Sequence, residues 1–532
     1  MKYLFTSTLL FIGIQCFAQV SADIEINNVR ARVNNNGILF QNSDGPSSQW
    51  SASFEVPKGG GASTIYTSSF WMGGMDQNMA LRLAANRFAP FSEYSIGPMS
   101  NFSNSDAFQG QYDEIWRVTR HQIIEHQANY GNSNYQMPLS ISSWPGNGNV
   151  AHGEAHFLAP FIDANGDGIY NPLHGDYPDI RGDEALYFML NDANNPHEES
   201  GGMPIGVNIH IMVYSYVTDE SSPINDCVFV NLIIRNNGTA QLSDFYFGMY
   251  NDFDLGAYHD DFIGSDSLRN MTYAYNGYAF DETVSGSFGY GSYLPAQGSV
   301  FLNTPMAKSV YYNNSLGNNG DPSLPIHYYN YMRGLWKDGS IVTEGGNGYG
   351  GSTPANFMLS GDPLTGIGWT EVNSGHSPGD RRMVMSTGPF DFIPGDQLCI
   401  DLAFPFARSE QENDNLDAIV KLREAADYVQ AFYDNQNFSC QQQVVGVEHV
   451  NEESSVALYP NPNAGRFFVT ADKDISMLEI SDIYGQIISS HSSIQSSRKA
   501  IEVDMTHHAA GVYLYQLVLS NGDRRSGKVI VN

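Results

Sequence analysis

Residues 227–254 read CVFVNLIIRNNGTAQLSDFYFGMYNDFD. An apolar strand from Cys227 to Ile234 meets the turn residues Asn236, Asn237 and Gly238, and a second run then places Phe245, Phe247 and Met249 on one face by period-two alternation. The pattern predicts a hairpin whose far end delivers an acidic loop. The texture from Asn27 to Val444 is the same: short aromatic and β-branched runs separated by Gly, Asn, Asp and Pro, as in an all-β chain. The expected fold is mainly β, a β-sandwich body of one or two domains with few short helices.

Two helices stand out against that texture. Thr119 and Gln122 have capping-box spacing ahead of IIEHQANY. In NLDAIVKLREAADYVQAFYDN, residues 415–435, Leu416, Ile419, Val420, Val429 and Tyr433 keep helical spacing along one stripe. Both are expected to be packing elements.

At the N-terminus Met1 and Lys2 precede LFTSTLLFIGI, an apolar run too short to span a bilayer, and the small-residue exit Cys16-Phe17-Ala18 follows. The expectation is a secretory signal peptide over residues 1–18, cleaved after Ala18. A lipid anchor on Cys16 is the rival reading, disfavoured by the bulky Gln15 before it. No other segment reaches the roughly 18 apolar residues of a membrane helix, so no transmembrane segment is expected in the mature chain. The 532 residues exceed what one core usually serves, which sets a prior of two or three domains.

A net charge of -31 argues against a nucleic-acid partner and suits a cation-binding surface. Without Cys16, three cysteines remain, Cys227, Cys399 and Cys440. That is too few for a disulfide framework, and the partners of a single bridge are not legible.

The polar stretch VEHVNEESS interrupts the β texture, and residues 445–454 read as a linker between a body over 19–444 and a small domain over 455–532. In the latter, LYPNPNAGRFFV opens with two prolines that prevent helix. The alternating run MLEISDIYGQII, the strand IEVDM and the pair VYLYQLVLSNGDRRSGKVIV follow, the pair turning at Asn521-Gly522. Tyr459-Pro460-Asn461-Pro462 with Gly465, Asp482-Ile483-Tyr484-Gly485, Gly511-Val512-Tyr513 and Lys528 before a terminal apolar strand together resemble the type A C-terminal sorting domain of the type IX secretion system. The resemblance implies an Ig-like β-sandwich read by an outer-membrane translocon. It also implies removal by a sortase-like peptidase, then attachment to surface lipopolysaccharide or release, so the protein is expected at the cell surface or outside the cell after passing through the periplasm. The body, in VPKGGGASTIYTSSFWMGG, SSWPGNGN, LAPFIDANGDGIYNP and GDYPDIRGDEALYFMLND, resembles a group of large cargo proteins of the same system and inherits no activity from them.

The densest acidic stretch is DANGDGIYNPLHGDYPDIRGD, residues 163–183. It starts as a calcium loop does: Asp163, Asn165 and Asp167 at positions 1, 3 and 5, Gly168 at 6, and the Ile169 carbonyl at 7. His174 stands at position 12 in place of a bidentate Glu, so a complete EF-hand is excluded. The first half resembles the calcium turns of dockerin and thrombospondin type 3 repeats, and Asp176 or Asp183 would close the sphere. The alternative is an acidic turn held by its own Asx hydrogen bonds. A second cluster, NDFDLGAYHDDFIGSD, offers Asp252, Asp254, Asp260, Asp261 and Asp266 after a strand end, where a cation would relieve carboxylate repulsion. Calcium is the expected cofactor of both.

Other constellations are weaker. His152 and His156 in HGEAH lack the helix that zinc binding by such a pair requires, because Gly153 and Pro160 oppose it. Gly346, Gly348 and Gly351 match a dinucleotide fingerprint in letters only, and PKGGGAST lacks the phosphate-loop lysine. The sequence therefore predicts a secreted or surface structural or binding protein, calcium-stabilised, with no assigned catalytic residue. An extracellular hydrolase acting on glycans is the alternative, to be recognised by a carboxylate pair facing an aromatic cleft.

Overall fold

The computed structural model describes residues 20–531 apart from 89–92, 102–105, 285, 439–443, 446–455, 460–462, 464, 472–473, 482–486, 493–499 and 521–523. The signal expectation, Cys440, most of the linker and the Asn521-Gly522 turn lie outside the described residues. The chain divides into two compact units, Met1–Val444 and Val445–Asn532.

The body is built on two large antiparallel sheets. The first runs, in spatial order, Ser21–Ile24, Arg30–Asn34, Ile38–Leu39, Ile65–Asp76, Leu242–Phe253, Arg381–Phe392 and Lys308–Tyr312, with Phe54–Glu55 and Leu81–Ala85 paired off this path. The second runs Trp116–Thr119, Glu184–Asn191, Val207–Ser215, Cys227–Asn236, Gln397–Arg408, Pro295–Phe301, Met271–Asn276 and Asp261–Asp266, with Ser95–Ile96 beside Glu184–Asn191.

Alternation along the second sheet sorts its side chains into two cores. Leu186, Phe188 and Leu190 join Phe70, Phe247 and Met249 of the first sheet in the sandwich interior. Ala185, Tyr187 and Met189 point to the opposite face, against Ala418, Ile419, Leu422 and Val429 of the helix Asn415–Asp434. Because both faces are covered, these strands read as continuous apolar runs rather than as half-buried ones. The outer face of the first sheet is covered in turn by the helix Pro325–Met332, which buries Tyr328, Tyr329 and Tyr331. Rings stack along that face from Trp71 to Tyr250 at 5.3 Å, Tyr250 to Tyr312 at 6.2 Å and Tyr312 to Tyr331 at 5.0 Å.

The stretch that opened the sequence reading is two strands but not a hairpin. Cys227–Asn236 pairs with Val207–Ser215 and Gln397–Arg408 in the second sheet, while Leu242–Phe253 pairs with Ile65–Asp76 and Arg381–Phe392 in the first. Residues 237–241 cross the roughly 10 Å between packed sheets, a span too wide for a two-residue hairpin turn. Asn236 locks the crossing: its side-chain amide donates to the carbonyls of Ala240 and Phe392, at 3.2 and 3.0 Å. Each strand has both edges occupied, which a pattern of burial along one strand cannot reveal.

Both expected helices are present. Thr119 caps Arg120–Asn129 with a reciprocal box, its hydroxyl accepting from the Gln122 amide at 3.2 Å while the Gln122 side chain accepts from the Thr119 amide at 2.9 Å. Asp414 caps the long helix. Its buried stripe is Ala418, Ile419, Leu422, Ala425, Ala426 and Val429, and Val420 lies beside the stripe rather than in it. Cys227 and Cys399 are free thiols, the first buried.

His210, on Val207–Ser215, is buried with Nδ1 2.7 Å from the Tyr187 hydroxyl. Burial, helped by Arg235, lowers its pKa to about 3, whereas an unfolded chain protonates histidine near pH 6.5. The unfolded state therefore takes up the proton first. The stability that His210 contributes is complete above about pH 6.5 and is lost as pH falls towards 3. In paired urea melts of the wild type and His210→Gln, the wild type should lose ground to the variant below pH 6.5, by up to about 1.4 kcal/mol per pH unit. A stability difference independent of pH would contradict this.

Among its described residues, the C-terminal unit has seven strands in two sheets. Val456–Tyr459, Arg466–Ala471 and Ala500–Asp504 form one; Ile487–Ser492, Ile475–Ser481, Gly511–Leu519 and Arg524–Val531 form the other. Phe467, Val469, Leu478, Ile480, Val503, Leu517 and Val529 fill its own core. Gly465 has a φ of +93°, and a Cβ there would meet the Thr506 backbone at 2.8 Å, so the turn after the prolines requires glycine.

Candidate cation-binding sites

The first acidic stretch is a tight turn organised by its carboxylates. Asp163 accepts the amides of Gly166 and Gly168, each at 2.7 Å, and Asp167 accepts that of Ile169 at 2.8 Å. Gly166 and Gly168 have φ of +75° and +77°, the left-handed geometry that lets successive amides face one carboxylate. Asp176 closes the other side: it is fully buried and accepts the amides of Ala164 at 2.8 Å and Asn171 at 2.7 Å. Burial raises the Asp176 pKa, and the charges of Asp163 and Asp167 raise it further. Asp163, Asn165, Asp167 and Asp176 thus share one turn, with their carboxylates engaged by its own amides, and among the described residues Asp163, Asp167 and Asp176 do not bring their oxygens within 4.8 Å of one another as a group. Asp183 lies apart, its carboxylate on the Val217 amide at 2.9 Å, and the Ile169 side chain is exposed.

The second cluster is not one loop. Asp252 lies inside the strand Leu242–Phe253, while Asp261 and Asp266 bound the strand Asp261–Asp266. Strand positions fix where these carboxylates point, and the structure divides them into three groups. Asp266 pairs with Arg269 at 2.8 Å and Arg423 at 3.5 Å. Asp260 and Asp261 are buried near Asp281, which accepts the amides of Ala257 at 3.1 Å and Tyr290 at 2.6 Å and is pushed up to about 7 by burial. Asp261 accepts the Leu255 amide at 3.0 Å, and burial lifts its pKa well above the carboxylate range. A Cβ on Gly256 would overlap the Asp281 carboxylate, so this glycine admits the close approach.

The third group joins Asp252 and Asp254 to Asp380, a residue the sequence reading missed. One oxygen of each lies within 4.8 Å of the others. Asp380 arrives because Arg381–Phe392 pairs with Leu242–Phe253 in a register that sets Asp252 opposite Arg382. The legible signal was Asp380-Arg381-Arg382, basic residues that a buried acidic strand would need as neighbours. Burial, opposed by Arg382, raises Asp252 to about 7, and burial with the charges of Asp252 and Asp380 holds Asp254 well above the ordinary range.

The HGEAH segment packs around its glutamate. Glu154 is buried and accepts from the Tyr112 hydroxyl and the Asn149 amide, both at 2.8 Å, while His152 ends a short 3-10 turn and His156 is exposed. The glycine run is a surface turn held by two indoles, with Trp336 donating to the Gly348 carbonyl at 2.8 Å and Trp369 to that of Gly346 at 3.1 Å. Among the described residues no helix is long and apolar enough to cross a membrane.

Comparison with known proteins separates the two units. No curated protein matches the chain. Solved structures with some likeness include CopC from Methylosinus trichosporium OB3b, at 14% identity over 14% of this chain and 89% of that one with a TM-score of 0.12. A polysaccharide lyase aligns at 9% identity over 70% of this chain and 39% of its own, TM-score 0.20. The adhesin domain of Epf from Streptococcus pyogenes aligns at 7% identity over 65% and 91%, TM-score 0.13. Scores this low carry no argument about this chain. The family model of the secretion system C-terminal sorting domain matches residues 457–532, the span of the seven-stranded unit. Residues 457–532 are a secretion system C-terminal sorting domain, and this match supports export of the chain as a cargo of type IX secretion.

Proposed function

We propose that this is a cell-surface or extracellular structural or binding protein, whose calcium-braced β-sandwich body is delivered through the periplasm by its C-terminal domain. The observation that carries the reading is the sorting domain at 457–532. Its partners on this reading are the outer-membrane translocon, a sortase-like peptidase that removes the domain, and surface lipopolysaccharide as the attachment point. The calcium part is supported by the placement of Asp163, Asn165, Asp167 and Asp176 in one acidic turn, oxygen-bearing side chains of the kind this hard cation takes. Fractionating cells that express the chain truncated before residue 455 tests the delivery. Melting in chelator and in calcium tests the brace.

A further inference from the structure

We propose that Asp252, Asp254 and Asp380 hold a hard divalent cation of the calcium class, at a site distinct from the Asp163 turn. Oxygens that share a Ca²⁺ ion sit about 2.4 Å from it and so at most about 4.8 Å from one another. The three carboxylates meet that limit.

The hydrogen bonds leave free the oxygens a cation would use. Asp252 is 2% exposed; its Oδ2 accepts from Arg382 Nε at 3.0 Å and the Tyr250 hydroxyl at 3.4 Å, while its Oδ1, equally buried, has no partner among the described residues. Asp380 repeats the arrangement. Its Oδ2 accepts from Asn314 at 2.6 Å and Arg382 at 3.5 Å, and its buried Oδ1 has none. Asp254, half-buried between them, accepts no hydrogen bond from any described residue. A buried carboxylate oxygen with no donor is costly, and proteins seldom leave one so.

The charge count points the same way. Among the described residues, Arg382 is the one guanidinium paired with these carboxylates, and it also faces Asp321 at 3.5 Å. When all three are ionised, as ligands to a cation are, they outnumber the guanidinium by two charges, which a divalent ion fills. Each oxygen is placed by a rigid element: Asp252 and Asp254 by the end of one strand, Asp380 by the start of its neighbour. Asp260, Asp261, Asp266 and Asp281 lie outside this set, since among the described residues no group of three carboxylates within 4.8 Å includes them.

Asp254→Asn is the informative variant, since that carboxylate supports no hydrogen bond the amide would break. Equilibrium dialysis of the full chain against Ca²⁺, with Mg²⁺ in parallel, should show one cation equivalent lost in Asp254→Asn and in Asp380→Asn. The double variant Asp163→Asn, Asp167→Asn should retain that equivalent, which keeps this site separable from the turn. In chelator, Asp254→Asn should melt at or above the wild type, because the neutral amide adds no charge beside Asp252 and Asp380. Unchanged stoichiometry in both single variants overturns the proposal, as does an Asp254→Asn chain that melts below the wild type in chelator.

Discussion

Truncation before residue 455 is expected to leave a folded body in the periplasm and to abolish its arrival outside the cell. The body keeps everything that folds it, because its sandwich and helix-covered cores draw on residues before 444, while Phe467, Val469, Leu478 and Val529 belong to a core of their own. A unit with its own core behaves as a domain and is removable without unfolding its neighbour. The truncated protein should therefore melt like the body of the full chain, while its extracellular fraction falls to background. Normal arrival of the truncated chain outside the cell would sink the delivery reading, whatever its stability.

The largest loss of stability is expected from Trp71→Ala. Trp71 is fully buried, stacks on Tyr250 at 5.3 Å, meets Tyr328 edge-on at 4.9 Å, and donates its indole N–H to the Asn86 carbonyl at 2.6 Å. Truncation removes the ring, opens a cavity under the helix Pro325–Met332 and removes one of the two donors to the Asn86 carbonyl, leaving it the Ser69 hydroxyl. Core aromatic truncations cost about 3–5 kcal/mol, and the lost hydrogen bond puts this one towards the upper end. Leu268→Ala is the matched control, at 91% exposure, and should change stability by no more than about 0.5 kcal/mol. Equal melts of the two variants would show that the ring stack does not hold this face of the sheet.

Legibility followed the range of the interaction. The Thr119 box, the Asp414 helix and the strand alternation of the C-terminal unit are set by neighbours a few residues apart, and each was readable. The sorting domain was readable for another reason: its motif blocks lie together in 76 residues, 457 to 532. The supposed hairpin at 227–254 misled because local alternation does not say which sheet a strand joins. That Asp163, Asn165, Asp167 and Asp176 share one acidic turn was readable, since they lie within a few residues of one another. The meeting of Asp252 and Asp254 with Asp380 was not, because more than a hundred residues intervene and only sheet register closes the distance. Asp266 looked like a ligand until the helix Asn415–Asp434 brought Arg423 to it.

What the acidic segments are for is decided most directly by melting the mature protein in chelator and in millimolar calcium. A turn that sets the charges of Asp163 and Asp167 near Asp176 gains order from a cation that offsets their repulsion, so folding and binding should be linked. With free calcium at about 100 times the dissociation constant, one site adds on the order of 2.7 kcal/mol. The transition should rise with calcium, respond less to magnesium, and lose much of the response when Asp163 and Asp167 are both replaced by Ala. The same melting temperature in chelator and in calcium would mean that the amides donated to Asp163 and Asp176 suffice by themselves, and would contradict the account.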